Sequence, residues 1–250
     1  MGGRPHHSAA KSVTSTNVKA SGFKSFPFQS MQSADQTKRL RRYCDLPSVL
    51  QMLKTKRITL LDPISWDDKN DTFYLAEYKK RKELKSLLAF CMTKSDETYH
   101  HWKIFSGGTG GACVVFKRQA LLERLDEYVG VTMGDVIYQK LKDMRLEVKH
   151  GGVMANKLPF LKRVGYEAEE EYRVLFECRT EVWPCIDFEI SMNMIESIRL
   201  SPWLHKDMVG TTREIIHGIK DCVSLRVSGS TLVSNDQWKG FVDSGMNAGR

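Results

Sequence analysis

The chain of 250 residues is 41% hydrophobic and 27% charged, and its formal net charge is +8. This length is enough to bury a sizeable core, and the composition is that of a globular protein. No apolar run approaches the roughly 18 residues of a membrane span, and no apolar segment follows the start as in a secretory signal. The sequence therefore argues against a membrane-spanning or secreted protein and predicts a cytoplasmic one.

The positive charge is concentrated at the start of the chain. Residues 1–42 hold eight Lys/Arg against one acid, Asp35, which leaves 30 Lys/Arg and 29 Asp/Glu for residues 43–250. A basic arm can contact nucleic-acid phosphates, whereas a nearly neutral domain offers no broad nucleic-acid face. We predict a disordered basic leader over residues 1–36, a single domain over residues 37–238 and a frayed tail over residues 239–250.

The first half of the domain predicts strands alternating with helices. Asp45 is a good N-cap for a helix with Pro47 in its first turn. The run Leu87–Met92 has the length and continuous apolar character of a buried strand, and it leads into Thr93. Further strands are predicted at Arg41–Tyr43, Ile58–Leu61 and Ala112–Phe116, with helices at about 73–86, Tyr99–Phe105 and Lys117–Tyr128.

The second half continues this mixture. The glycine-rich Ser106–Gly111 precedes a strand, which is the reverse of the strand–loop–helix order of phosphate-binding loops. Strands are predicted at Val131–Tyr138, Tyr172–Phe176, Ile186–Ile190, Ile195–Leu200 and Val223–Val227, and helices at 139–150, Met154–Val164 and His205–Ile219. Short strands interspersed with helices indicate a mixed α+β domain, which we expect to have a mostly antiparallel sheet and surrounding helices.

A metal site is not expected. The six cysteines include no C-x-x-C pair and are typical of buried thiols in a reducing compartment. The neighbouring His100 and His101 would point about 100° apart on a helix, which makes shared ligation awkward. The acidic loop Ser65–Asp71 does not have EF-hand spacing, and helix capping is its simpler interpretation.

The strongest chemical signal is the stretch from Tyr166 to Phe176, in which three glutamates run into a predicted strand. Alternation along a strand would place Glu169, Glu171 and Arg173 on one face. Two acids and a cation on one face could form a working site. The simpler interpretation is an exposed edge whose charges neutralise one another.

Several spaced motifs together resemble a bacterial family of unknown function that is often placed beside abortive-infection proteins. Its pattern has an aromatic before a helix, an Asn-Asp loop, a Cys-Phe-Ser strand, Trp-x-x-Tyr with Gly-x-x-x-x-Phe, Glu-x-Glu-x-Arg and a late Gly-Pro turn. The matching segments here are Arg42-Tyr43, Asn70-Asp71, Phe90-Cys91-Met92-Thr93, Trp102–Phe105, Gly111–Phe116, Glu169–Arg173 and Ser201-Pro202, with Ser228 and Ser230 at the end. The chain departs from the pattern at Thr93, Phe105 and Ser201, and no proline follows Asp71.

That family is in turn similar, in element order and motif placement, to the ADP-ribosyltransferase superfamily. The resemblance implies an ADP-ribosyltransferase-like fold and NAD as the substrate. By this resemblance Arg42 or Tyr43 would hold the nicotinamide riboside end of NAD, and Thr93 would support it. Glu171 would be the catalytic glutamate, with Glu169 assisting the incoming nucleophile.

The chemistry of these residue types agrees with those roles. A fixed carboxylate stabilises the positive charge that builds on the ribose as the nicotinamide bond breaks. Tyr43 or Trp102 could stack on nicotinamide, and Arg42 could pair with the pyrophosphate. Arg173 is also a candidate for binding NAD. As alternatives, both aromatics are core residues, Thr93 only ends a strand, and Arg173 only pairs with Glu169 or Glu171.

The sequence therefore predicts NAD-dependent ADP-ribosyl transfer to a protein or nucleic-acid acceptor, in a toxin or phage-defence setting. The basic arm over residues 1–42 slightly favours a nucleic-acid acceptor. Two rival hypotheses remain. The first is a binding module that keeps the fold without turnover, and the second is a nucleic-acid-binding protein that acts through the arm.

Overall fold

The computed structural model describes residues 38–247, with side chains as far as Val242. The predicted leader therefore lies outside the described residues. The strands are β1 (Arg39–Asp45), β2 (Arg57–Leu61), β3 (Ser86–Thr93), β4 (Gly111–Lys117), β5 (Val131–Asp135), β6 (Ile137–Gln139), β7 (Leu161–Arg163), β8 (Glu171–Cys178), β9 (Cys185–Glu189), β10 (Ile195–Leu200) and β11 (Arg226–Gly229). The helices are α1 (Leu46–Thr55), α2 (Lys69–Arg81), α3 (Tyr99–Phe105), α4 (Arg118–Asp126), α5 (Leu141–Lys149), α6 (Lys206–His217) and α7 (Asp236–Asn247).

Strand β3 is the central branch point of the main sheet. One of its edges pairs with β8, and the other edge is shared by β1 at its end and β2 nearer its start. Beyond β1 the order continues through β4 and β10 to β11, while β9 lies outside β2 and β5 outside β8. These pairings are antiparallel except for β10 with β11, and a separate parallel pair joins β6 to β7. The mixed α+β class with a mostly antiparallel sheet is confirmed.

The two faces of the sheet pack against different helices. On one face Leu88, Phe90 and Met92 of β3 belong to the largest core cluster, together with buried residues of α1, α4 and α6. On the other face Leu87 and Ala89 pack with residues of α2. A smaller cluster on this second face joins α3 to β1 and β4. Because strand residues alternate between faces, the end of β3 presents Thr93 on the side of α2 and α3.

The helix starts follow the local sequence. The Asp45 carboxylate accepts a hydrogen bond from the backbone N–H of Ser48 at 2.7 Å, as expected for an N-cap with proline in the first turn. Asp68 caps α2 in the same way by accepting from Asn70 and Asp71. The second cap lies inside the loop predicted for Ser65–Asp71, so α2 begins earlier than about residue 73 and ends earlier than residue 86.

The structure differs from the sequence-based expectation in several elements. The helix predicted for Met154–Val164 is wrong, since a 3-10 helix over Ala155–Phe160 leads into β7. Pro159 within this segment has no N–H to donate, which is incompatible with a continuous α-helix. The single strand predicted from residue 131 to 138 is divided into β5 and β6. Residues 239–247, which lie in the predicted tail, belong to α7, and the predicted domain boundary stays a prediction.

Across residues 38–247 no helix has both the length and the apolar composition that crossing a bilayer requires.

We expect the centre of β3 to control stability. Leu88 is fully buried, whereas Leu61 on β2 is 53% exposed. Leu88→Ala should lower the free energy of unfolding by about 2–5 kcal/mol, because it removes packed atoms and leaves a cavity. Leu61→Ala makes the same chemical change at an exposed position and should cost about 0.5 kcal/mol or less. Urea unfolding measures both, and equal losses would contradict the assigned core.

Candidate active site

Three polar residues lie in a row across adjacent strands. Arg41 of β1 is directly opposite Thr93 of β3, and Thr93 is directly opposite Glu171 of β8. Directly opposed residues of antiparallel strands project from the same face of a sheet. The structure therefore brings the predicted hydroxyl and the predicted catalytic glutamate together with a basic residue, on the face covered by α2 and α3. We call these three residues the cross-strand row.

The basic residue of the cross-strand row is Arg41, and Arg42 lies on the opposite face. The Arg42 Nη1 donates to the Cys91 carbonyl at 2.7 Å, and its guanidinium lies 4.8 Å from the centre of the Phe90 ring. Neighbouring strand residues point to opposite faces, so Arg42 and Thr93 do not share a site. Contrary to the expectation from the sequence, the structure therefore does not group Arg42 with Thr93 and Glu171, and it places Arg41 beside them instead.

Beside the row, the guanidinium of Arg173 is completely buried between two carboxylates. It donates to Glu171 at 2.8 and 3.0 Å and to Asp71 of α2 at 2.9 and 2.7 Å. Its Nη1 also donates to the Pro159 carbonyl at 2.7 Å. A buried guanidinium is tolerable only when its donors are satisfied in this way. Arg173 thereby fixes the orientation of the Glu171 carboxylate.

Lys162 of β7 joins the second candidate glutamate to the first. Its Nζ lies 2.5 Å from Glu169 Oε2, 3.2 Å from Glu171 Oε2 and 3.9 Å from Asp71 Oδ2. The side chains of Lys162, Glu169, Glu171, Arg173 and Asp71 are each exposed by 9% or less. The interpretation of this stretch as an exposed, self-neutralising edge is therefore wrong. We call these five side chains the buried charge network.

A backbone turn brings the two glutamates to the same lysine. Glu169 ends a 3-10 helix that begins at Val164, so it does not belong to β8. Between the two glutamates, Glu170 has φ = 43° and ψ = 46°, a left-handed conformation that non-glycine residues adopt at a cost. The side chain of Glu170 is exposed while those of Glu169 and Glu171 are buried.

The two glutamates have opposite pKa shifts. Burial opposes ionisation of Glu171, but the charges and hydrogen bonds of Arg173 and the charge of Lys162 lower its pKa to about 2. Burial raises the pKa of Glu169, and Lys162 offsets only part of this effect. Carboxyl groups whose surroundings separate their pKa values are suited to different roles. Glu171 therefore favours its charged form, and Glu169 is the one closer to taking up a proton.

The predicted aromatic residues are in the core. Trp102 is fully buried and its indole N–H donates to Glu97 at 2.7 Å, while the Tyr43 ring stacks on His101 with centroids 5.3 Å apart. In this arrangement neither Tyr43 nor Trp102 offers a ring face to a ligand. The Thr93 hydroxyl accepts from the backbone N–H of Ser95 at 2.9 Å, which accords with its alternative role at a strand end.

Several residues of the site were missed by sequence reasoning. Asp71 was placed in the Asn-Asp motif but interpreted as a capping residue, a role that belongs to Asp68. Lys162 stands in a predicted helix and carried no local signal. Tyr138 also contributes, because its hydroxyl accepts the backbone N–H of Glu171 at 2.8 Å. Arg41 was assigned to the correct strand, and the register of β1 against β3 was the missing information.

A cavity of about 370 Å³ lies apart from these residues. Its lining residues are Lys117, Met192, Asn193, Ile195, Glu196, Asp221, Ser224 and Leu225. None of them belongs to the cross-strand row or to the buried charge network, so the cavity is separate from the candidate active site. Among residues 38–247, no group of three or more His, Cys, Asp and Glu side chains could hold a metal ion.

Comparison with known proteins gives one weak likeness. No family model matches the chain, and no curated protein matches it. Among solved structures, the chain is similar to DarT of Thermus sp. 2.9 in complex with carba-NAD+, at 9% identity and a TM-score of 0.40. The match covers 78% of this chain and 96% of that chain. A likeness at this level carries no conclusion about this protein, and membership of the bacterial family named above stays a prediction.

The buried charge network makes Asp71 a stability determinant. Asp71→Asn would leave the buried Arg173 guanidinium with one carboxylate partner, and we expect it to lower the free energy of unfolding by about 3 kcal/mol. Asp67→Asn is the matched control, because Asp67 is exposed four residues earlier. It should cost about 0.5 kcal/mol or less. Urea unfolding at neutral pH decides, and similar losses in the two variants would contradict the role given to Asp71.

Proposed function

We propose that the protein binds NAD over the cross-strand row and transfers its ADP-ribose group to a macromolecular acceptor. The observation that supports this most is the register Arg41–Thr93–Glu171. An aromatic or basic residue on the first strand, a hydroxyl on a second strand and a late glutamate are the three features that the resemblance to ADP-ribosyltransferases implies. Here they lie on three neighbouring strands and on one face, although they are far apart in sequence.

Glu171 has the properties required for stabilising a cation. When the bond between nicotinamide and ribose breaks, its electron pair leaves with nicotinamide and positive charge develops on the ribose. A carboxylate that stays ionised and is held by Arg173 faces this charge without reorganising. A hydrogen bond from a ribose hydroxyl to the same carboxylate would also orient the sugar.

Glu169 has the properties required for activating the acceptor. The incoming hydroxyl or amine must lose a proton as it bonds to the ribose carbon. A carboxylate with a raised pKa accepts that proton more readily than Glu171 does. Both carboxylates contact the same ammonium group, so a base and a charge-stabilising group stand side by side.

Arg41 is the residue of the row suited to the pyrophosphate of NAD. Its guanidinium donates to the Ser95 carbonyl at 2.8 Å and to the Asp96 carboxylate at 2.6 Å. Asp96 is 97% exposed, so exchanging this carboxylate for a phosphate oxygen costs little burial. We therefore transfer to Arg41 the phosphate role first predicted for Arg42.

The biological setting that fits this chemistry is a toxin or phage-defence effector acting in the cytoplasm on protein or nucleic acid. The basic arm over residues 1–42 supports a nucleic-acid acceptor, because eight Lys/Arg against one acid favour contact with phosphates.

A second candidate is a binding module without turnover. Both oxygens of Glu171 already accept hydrogen bonds from Arg173, and the Thr93 hydroxyl is engaged by Ser95. A protein that kept the row for ligand binding alone could have satisfied its catalytic groups internally in this way. The two candidates differ in whether NAD is cleaved.

Nicotinamide release from NAD by the purified full-length protein, with cell lysate as the acceptor source, tests the proposal. We expect release by the wild type and a loss of about 100-fold or more in Glu171→Gln, because the charge that stabilises the ribose cation is removed. Glu170→Gln makes the same change on the exposed neighbour and should keep wild-type release.

Measurements of folding and of NAD binding distinguish the remaining outcomes of this experiment. Circular dichroism checks that Glu171→Gln is folded, and calorimetry with NAD measures binding in each protein. Binding of NAD by the wild type without nicotinamide release would support the binding module. If the wild type neither binds NAD nor releases nicotinamide, the proposal is overturned.

A further inference from the structure

Lys162 and Arg173, the two cations of the buried charge network, contact different parts of the protein. Arg173 lies in the main sheet and donates hydrogen bonds to Asp71 of α2 and to the Pro159 carbonyl, so it also stabilises parts of the fold outside the two glutamates. Lys162 comes from β7, a three-residue strand that, within residues 38–247, pairs with β6 outside the main sheet. Its shortest polar contacts are the carboxylates of Glu169 and Glu171.

The position of this ammonium matters because the two carboxylates are close to each other. One nitrogen lies 2.5 Å from an oxygen of Glu169 and 3.2 Å from an oxygen of Glu171. Two like charges held near one another with little exposure to water oppose each other's ionisation, and one of the pair then takes up a proton. An ammonium between them offsets that repulsion.

Other groups around the pair do not replace Lys162. The charged and titratable groups that act on the two carboxylates, taken element by element, are Asp71 of α2, Cys91 of β3, His100 of α3, Tyr138 of β6 and Arg173 of β8. Arg173 donates to Glu171 and not to Glu169. The ring of Tyr166 lies 4.8 Å from the Lys162 ammonium and adds a neutral contact.

We propose that Lys162 is a positioning residue that keeps Glu169 and Glu171 ionised at the same time, and that it thereby sets the lowest pH at which the site works. The inference rests on the proposed function for its catalytic consequence. The effect of Lys162 on the pKa values of the two carboxylates can be measured without turnover.

The first measurement is the pH dependence of kcat/KM for nicotinamide release in Lys162→Met and Lys162→Arg. We expect the acidic limb of the Lys162→Met profile to move to higher pH by about one unit or more, because one carboxylate now holds a proton until higher pH. Lys162→Arg keeps the charge and should keep the wild-type limb. A loss in Lys162→Met that is the same at every pH would show a merely structural role and overturn the proposal.

The second measurement is a carbon-13 NMR titration of glutamate carboxyl groups in labelled full-length protein. Glu169→Gln and Glu171→Gln assign the two signals. In Lys162→Met, one midpoint should rise by about one unit or more relative to wild type. Unchanged midpoints would overturn the proposal even if the wild type releases nicotinamide. A raised midpoint in a protein that releases none would support the role of Lys162 and count against the proposed function alone.

A folding check keeps both measurements interpretable. If Lys162→Met does not fold, Lys162→Gln is used instead, because it removes the charge and retains a hydrogen-bond donor. The same shift of the midpoint is expected, and its absence again overturns the proposal.

Discussion

The buried guanidinium of Arg173 is the constraint on which the rest of the site depends. A charge without contact to water is stable only if protein groups replace its hydration, and here two carboxylates and one carbonyl do so. Each of these acceptors belongs to a different segment of the chain. The single side chain therefore couples α2, the 3-10 segment before β7 and the start of β8, and it holds Glu171 in one orientation.

The sheet supplies the second half of the geometry. Thr93 is placed by β3, which is buried along nearly its whole length between the clusters of the two faces. Pairing on both of its edges aligns Arg41 and Glu171 with Thr93, since a slip of one residue would turn the partner side chain to the opposite face. The apolar packing of β3 thus determines which polar residues meet, even though none of its apolar side chains belongs to the candidate site.

This dependence on register explains which features were predictable. The α+β class and most strands follow from local apolar patterns, and the candidate site at Glu169–Glu171 was recognisable from its charges. The choice between Arg41 and Arg42 was not, because either could face Glu171 until the pairing of β1 with β3 is known. The contact of Asp71 with Arg173 spans about a hundred residues and leaves no local trace. Lys162 was hidden for another reason, since its segment was assigned to a helix that Pro159 excludes.

The balance of charge in the network has a consequence for chemistry. Three carboxylates (Asp71, Glu169 and Glu171) face two cations, Lys162 and Arg173, so the fully ionised cluster carries one excess negative charge. In a site of low exposure such an excess is costly, and it is relieved either by a proton or by an external positive charge. Under the proposed function, the pyridinium of NAD would bring such a charge, and bond cleavage would move it to the ribose. The uncompensated charge of the network would then favour binding of NAD, and it would lower the barrier if the positive charge comes closer to Glu171 as it moves from the pyridinium to the ribose.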